Sequence, residues 1–136
     1  MASGLAPTIK ALRPQSRVIG IEPAGAPTLT RSLAIGRPAT LDAIDTIADS
    51  LAPPFAEAYS FSLVQRYVDE ILLIDDGLIR QGMRLLFERL KLAVEPAGAT
   101  ALAGLLAHPS HFAGRNVCAI VCGSNIGLSR YGAILE

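Results

Sequence analysis

The chain has 136 residues, twelve Lys plus Arg against twelve Asp plus Glu, with 51% hydrophobic and 18% charged residues. These values exclude a disordered tail, which needs low hydrophobicity and high net charge, and leave no basic stripe for a nucleic-acid backbone. The length suits one domain with a sizeable core, and so low a charge fraction points to surface covered by other protein.

The amino terminus, MASGLAPTIK, has no basic start followed by an apolar core and does not read as a signal peptide. Leu5–Leu12 reads as the end of a helix stopped by Pro14. Arg17–Glu22 (RVIGIE) is an almost continuous apolar run, as expected of a strand buried on both faces. Pro23–Pro27 is turn-rich, and Thr28–Ile35 is an expected helix with Gly36 as its C-terminal cap. Leu41–Pro54 has no clear period and ends loop-like at Pro53-Pro54. The spacing of Phe61, Val64, Tyr67 and Val68 predicts a helix over Ser60–Glu70. Ile71–Ile74 (ILLI) reads as a second buried strand, after which Asp75 or Asp76 caps a long amphipathic helix through Leu90.

Pro96 suits the first turn of a further helix running to about Ala107. The window Pro96–Gly114 carries no charged residue, but its prolines, glycines and histidines read as a buried helix plus a loop rather than a membrane span. Val117–Val121 (VCAIV) predicts a third buried strand, leading into Cys122-Gly123-Ser124-Asn125 and a last short helix. Strands alternating with helices give an α/β fold, a parallel sheet flanked by helices. Cys118 and Cys122 would face one side of an extended strand, too far apart to bridge, so a reduced, cytoplasmic setting is the simplest reading.

In open α/β sheets, ligands collect beyond the C-terminal strand ends. Those ends are Glu22–Ala26, Asp75-Asp76 and Cys122–Asn125, with Glu95-Pro96-Ala97-Gly98-Ala99 as a fourth candidate. Each also has a plain structural reading. Asp75 is most simply a helix cap, Glu95 a first-turn carboxylate favoured by the helix dipole, and Gly123–Asn125 a turn. His108, His111, Cys118 and Cys122 are zinc-ligand types but lack a paired knuckle. No G-x-S-x-G, Walker loop or G-x-G-x-x-G occurs. Lys10 and Lys91, the only lysines, fit solvated helix ends better than activated amines.

Four segments in order, RVIGIEPAGAPTLTRSL, TIADSLA, RLLFERLKLAVEPAGATALAGLL and NVCAIVCGSNI, together resemble the C-terminal part of the threonine dehydratase/serine racemase group. These are pyridoxal-phosphate enzymes of the tryptophan-synthase-β-like fold (fold type II). The resemblance runs from about Gly4 to Leu135 and implies that residues 1–136 form the C-terminal portion of one such domain, an incomplete large domain.

The resemblance implies a cofactor wall. Cys122 takes the position of the hydroxyl or thiol that faces the pyridine nitrogen, with Gly123, Ser124 and Asn125 continuing the loop, and Glu95 matches the E-P-A-G carboxylate beside the cofactor. Glu22 and the carbonyl of Ala26 match positions that bind a divalent cation in racemase-like members. The third ligand there is an aspartate, and this chain has Thr28. Ser50 in T-I-A-D-S stands where relatives usually have Gly. The family's Schiff-base lysine motif and its glycine-rich phosphate loop do not occur, and Lys10 and Lys91 match neither.

Two functional readings follow from the resemblance. In the first, the chain is part of a lyase that eliminates the β-hydroxyl of L-threonine or L-serine, giving a 2-oxo acid and ammonia, with racemisation or β-replacement as sister outcomes. In the second, it is a non-catalytic truncated or split product that acts by docking to an N-terminal partner chain. Bare sheet edges and apolar helix faces make a homo-oligomer or the missing N-terminal half the expected partner. Neither nucleic acid nor membrane is expected.

Overall fold

Two parallel strands and seven helices follow one another in the computed structural model, which describes residues 1–136. The order is α1 (Ala2–Leu12), β1 (Ile19–Pro23), α2 (Thr28–Ile35), a 3-10 turn at Asp49–Leu51, α3 (Ala58–Tyr67), β2 (Glu70–Ile74), α4 (Asp76–Leu90), α5 (Pro96–Ala107), α6 (Pro109–Phe112) and α7 (Leu128–Leu135). The strands pair in parallel from Ile19 opposite Glu70 to Pro23 opposite Ile74. α5 lies against both strands and packs along α4, while α1 packs on α3. No helix is long and apolar enough to cross a membrane.

The amphipathic pattern of α4 sets the core. Ile79, Met83 and Leu86 recur at three- and four-residue spacing on one face and are buried, whereas Arg80, Glu88 and Arg89 are exposed. That face meets Ala99 and Ala103 of α5, Ile74 at the end of β2, and Tyr131 and Ile134 of α7. Asp75 is the N-cap of α4, its Oδ1 accepting from the Leu78 N–H at 2.9 Å. Asp76 turns elsewhere. It accepts from Thr46 Oγ1 at 2.6 Å and from the Ile47 N–H at 2.8 Å, and so ties the 46–48 loop to α4. The helix at Thr28–Ile35 ends as expected on Gly36, which adopts the left-handed conformation at φ 70°.

The fold departs from the sequence expectations in three places. First, Val117–Val121 is not a strand. The segment is irregular, its backbone makes no hydrogen bond, and Val117, Ile120 and Val121 are 45%, 44% and 38% exposed. An apolar β-branched run becomes a strand only beside a ladder partner, and β1 and β2 pair only with each other. Second, the helix expected over Ser60–Glu70 stops at Tyr67, because Glu70 enters the ladder opposite Ile19. Third, β1 and β2 are not buried on both faces. Burial is confined to Glu22, Pro23 and Ile74 at their C-terminal ends.

Polar contacts close the opposite end of the sheet. Lys10 Nζ donates to Asp69 Oδ1 at 2.8 Å and to the Ser16 carbonyl at 2.9 Å, and the Val18 N–H donates to Asp69 Oδ2 at 2.6 Å. Glu70 Oε2 takes Arg17 at 2.8 Å and lies 3.2 Å from His111 Nε2. The Lys10 hydrogen bond, outweighing partial burial, holds the Asp69 carboxyl below its ordinary value of 3.8. A depressed carboxyl stabilises the fold fully above the unfolded value and loses that contribution as pH falls through the folded one. Thermal melts of the native chain and of Asp69→Asn should therefore differ at neutral pH and converge as the pH drops below about 3.8.

Candidate functional site

The E-P-A-G and C-G-S-N segments, 27 residues apart between Glu95 and Cys122, meet backbone to backbone. Pro96 opens α5, which leaves Glu95 as its N-cap residue in extended conformation. The Glu95 N–H donates to the Gly123 carbonyl at 3.2 Å, and the Gly98 N–H donates back to the Glu95 carbonyl at 2.9 Å. The Glu95 carboxylate does not cap the helix; it lies over Gly123. Gly123 has φ 80°, and a Cβ there would overlap that carboxylate. A Cβ on buried Gly98 would overlap the Cys122 carbonyl oxygen and come within 2.9 Å of the Gly123 carbonyl oxygen. Both glycines are required by close approach, and Gly123 also by its left-handed backbone.

A cleft of about 270 Å³ follows this contact, lined by Leu92, Ala93, Val94, Val121, Cys122, Gly123 and Ser124. Cys122 is half-buried and is the one titratable side chain on its wall. A second hollow of about 310 Å³ shares Ala93 and Ser124 and continues to Ile126, Leu128 and Tyr131. The Tyr131 hydroxyl is buried without a partner, and burial pushes its phenol above the ordinary value of 10.0. Asn125 is exposed on the same loop. The start of α1 also reaches this wall, with Met1 Sδ 4.0 Å from Cys122 Sγ.

These residues fit one side of a flat aromatic cofactor. The wall is small-residued and uncharged, bears one thiol, and has a carboxylate held beside it by backbone contacts. It carries no lysine amine. The Lys10 amine is engaged by Asp69 and Ser16, roughly 13 Å along α1 from Met1 at 1.5 Å per residue. The Lys91 amine donates to the Glu88 carbonyl at the end of α4.

The residues matched to a cation site are arranged otherwise. Glu22 is 8% exposed and its carboxylate is turned to the first turn of α2. The Ala26 carbonyl accepts from the Thr28 N–H at 2.9 Å. As placed, this donor set does not fit a hard cation. No group of three or more His, Cys, Asp or Glu side chains converges anywhere in the chain.

Sequence reasoning missed how the T-I-A-D-S loop is fixed. Asp76 holds it from α4, and Asp49 Oδ2 pairs with Arg130 of α7 at 2.9 Å, with Ser50 exposed between these anchors and the Pro53-Pro54 turn. The Arg130 hydrogen bond holds the Asp49 carboxyl below its ordinary value. The adjacent pair Asp75-Asp76 was the available signal, since one helix start needs only one cap.

A profile of the family described as "Pyridoxal-phosphate dependent enzyme" matches residues 1–123. The chain is 43% identical over 126 residues to phenylserine dehydratase of Ralstonia pickettii, covering 92% of this chain and 39% of that protein. The structure of maize serine racemase superposes with a TM-score of 0.87 at 34% identity, over 96% of this chain and 41% of that one. The processed threonine deaminase isoform 2 from Solanum lycopersicum superposes with a TM-score of 0.90 at 29% identity, over 98% of this chain and 39% of that one. The chain thus spans about two fifths of the length of these relatives.

Proposed function

Since the chain belongs to the pyridoxal-phosphate dependent enzyme family, we propose that it is the C-terminal portion of an ammonia-lyase acting on a small hydroxy-amino acid, L-threonine or L-serine, to give a 2-oxo acid and ammonia. The observation that carries this reading is the joining of Glu95 to Cys122-Gly123 at the edge of a small, uncharged cleft. Similarity to a phenylserine dehydratase and to a threonine deaminase supports elimination as the reaction type. Pyridoxal phosphate, when bound, supplies the electron withdrawal that acidifies the amino-acid Cα.

Cys122 would offer a thiol, a weak donor and acceptor without fixed charge, to a bound pyridine ring. Unlike a carboxylate, it does not favour a protonated partner there. Such a neutral contact suits a reaction in which charge leaves at once with the β-hydroxyl. Glu95 sits beside the thiol loop, where it can accept a proton from water or order one. Gly123 and Asn125 would line the ring edge. Racemisation or β-replacement would use the same wall. The divalent cation of racemase-like members has no set of free ligands here.

The reacting amine belongs, in this proposal, to an N-terminal half in the same reducing, cytoplasmic setting, within a homo-oligomer. A second reading, in which the chain works only by docking to such a partner, is favoured by the bare 117–121 segment. Its apolar side chains are exposed and its backbone N–H and C=O groups are unpaired, as in a strand waiting for a neighbour. The isolated chain should bind a hydrophobic dye, and adding an N-terminal half should remove that signal. A monomeric chain that melts cooperatively and ignores the dye refutes the docking surface. The lyase reading is tested by mixing the chain with the complementary half of a relative and assaying 2-oxo acid release from L-threonine and L-serine.

A further inference from the structure

We infer that Glu22 is the built-in anion of helix α2, its carboxylate spent on the helix start instead of on the divalent cation of the racemase-like pattern, so that the loop joining β1 to α2 is set without a metal ion. Every backbone donor at that helix start has an acceptor. The first four N–H groups of a helix have no partner within it. The N-cap residue of α2 is Pro27, which has no side-chain acceptor to offer and makes no cap bond. The Thr28 N–H is taken by the Ala26 carbonyl at 2.9 Å and the Arg31 N–H by the Pro27 carbonyl at 2.9 Å.

The two donors between them are taken from outside the helix, by a residue six positions before α2. Glu22 Oε1 accepts from the Leu29 N–H at 2.7 Å, and Oε2 accepts from the Thr30 N–H at 2.9 Å and the Thr30 hydroxyl at 2.8 Å. Each cation ligand suggested by sequence is therefore committed to α2: the carboxylate through three bonds, the Ala26 carbonyl through one. Thr28, at the position of the missing aspartate, is buried and donates its hydroxyl to the Pro53 carbonyl at 2.8 Å.

Electrostatics act in the same sense. The start of a helix carries partial positive charge and favours an anion, not a cation. Calcium and magnesium need about six or more oxygen ligands in favourable geometry. A cation taking Glu22 would strip its partners from two backbone N–H groups in a part-buried turn, which is costly.

The native chain is titrated with Mn²⁺ by electron paramagnetic resonance, and melted in Mg²⁺ or in EDTA at matched ionic strength. The expected result is an unchanged free-ion Mn²⁺ spectrum and the same melting temperature in both buffers. Glu22→Gln, which keeps one acceptor oxygen, should lower the melting temperature by about 5 °C or more, the scale of a lost cap in a domain of this size. A saturable loss of the Mn²⁺ signal that Glu22→Gln abolishes would overturn the inference, as would a Glu22→Gln melt matching the native one. If Glu22→Gln does not fold, the Mn²⁺ spectrum of the native chain decides: unchanged, it supports the cap; saturably lost, it overturns it.

Discussion

Incubated with pyridoxal phosphate and reduced with borohydride, the isolated chain should give no stoichiometric lysine adduct and release no 2-oxo acid from L-threonine or L-serine. The reason lies in where its two lysines are. Lys10 is held by an ion pair to Asp69 at the end of α1 remote from Cys122, and Lys91 turns back onto the Glu88 carbonyl. Neither is a free nucleophile on the cleft wall. Supplying an N-terminal half with a free amine should take 2-oxo acid release from none to a measurable rate, because that amine both anchors the cofactor and moves a proton. Mass spectrometry of the reduced sample locates any adduct. Stoichiometric labelling of Lys10 or Lys91 together with 2-oxo acid production by the chain alone refutes the incompleteness argument.

The second large effect is expected at Gly98. Its Cβ would overlap the Cys122 carbonyl oxygen, and both neighbours are backbone, so no side chain can swing aside. Gly98→Ala should cost about 1–3 kcal/mol of stability through overpacking. It should also push the C-G-S-N loop off α5, carrying the thiol away from Glu95. Gly132→Ala is the control, because nothing lies within 4 Å of a Cβ there and it sits in α7. That change should be neutral, or stabilising by about 0.5–1 kcal/mol from helix propensity. Urea unfolding of the two variants, and cofactor binding after complementation, separate a specific contact from a general penalty on substituting glycine. Equal stabilities would show that the two loops are not interlocked as described.

What the sequence made legible was local. Thr28–Ile35 with its Gly36 cap, the Asp75-capped α4 and the Pro96-started α5 follow from residues within a turn of the feature they specify. The parallel sheet was legible too, since βαβ alternation constrains topology. The 117–121 segment was not, because strand formation needs a neighbour, and a run's own composition cannot supply one. The end of α3 was misplaced for a related reason. Val68 continues the helical spacing, but Glu70 is claimed by Ile19, fifty-one residues earlier in the chain.

The candidate site divides in the same way. The resemblance singled out Cys122, Gly123 and Glu95, and the fold sets Glu95 against Gly123 and the Cys122 carbonyl against Gly98 of the same E-P-A-G segment. Asn125 sits exposed on the same loop. The role of Glu22 was hidden, since its partners Leu29 and Thr30 are defined by where α2 begins rather than by any motif. The hold of Asp76 on Thr46 and Ile47 spans about thirty residues of chain and left only the doubled aspartate as a hint.

The approach of Met1 Sδ to 4.0 Å from Cys122 Sγ governs how this polypeptide can be engineered. An affinity tag spliced ahead of Met1 would begin at the residue whose side chain touches the thiol, and slower alkylation of Cys122 in the tagged chain would report that crowding. One placed after Glu136 follows the last turn of α7 instead.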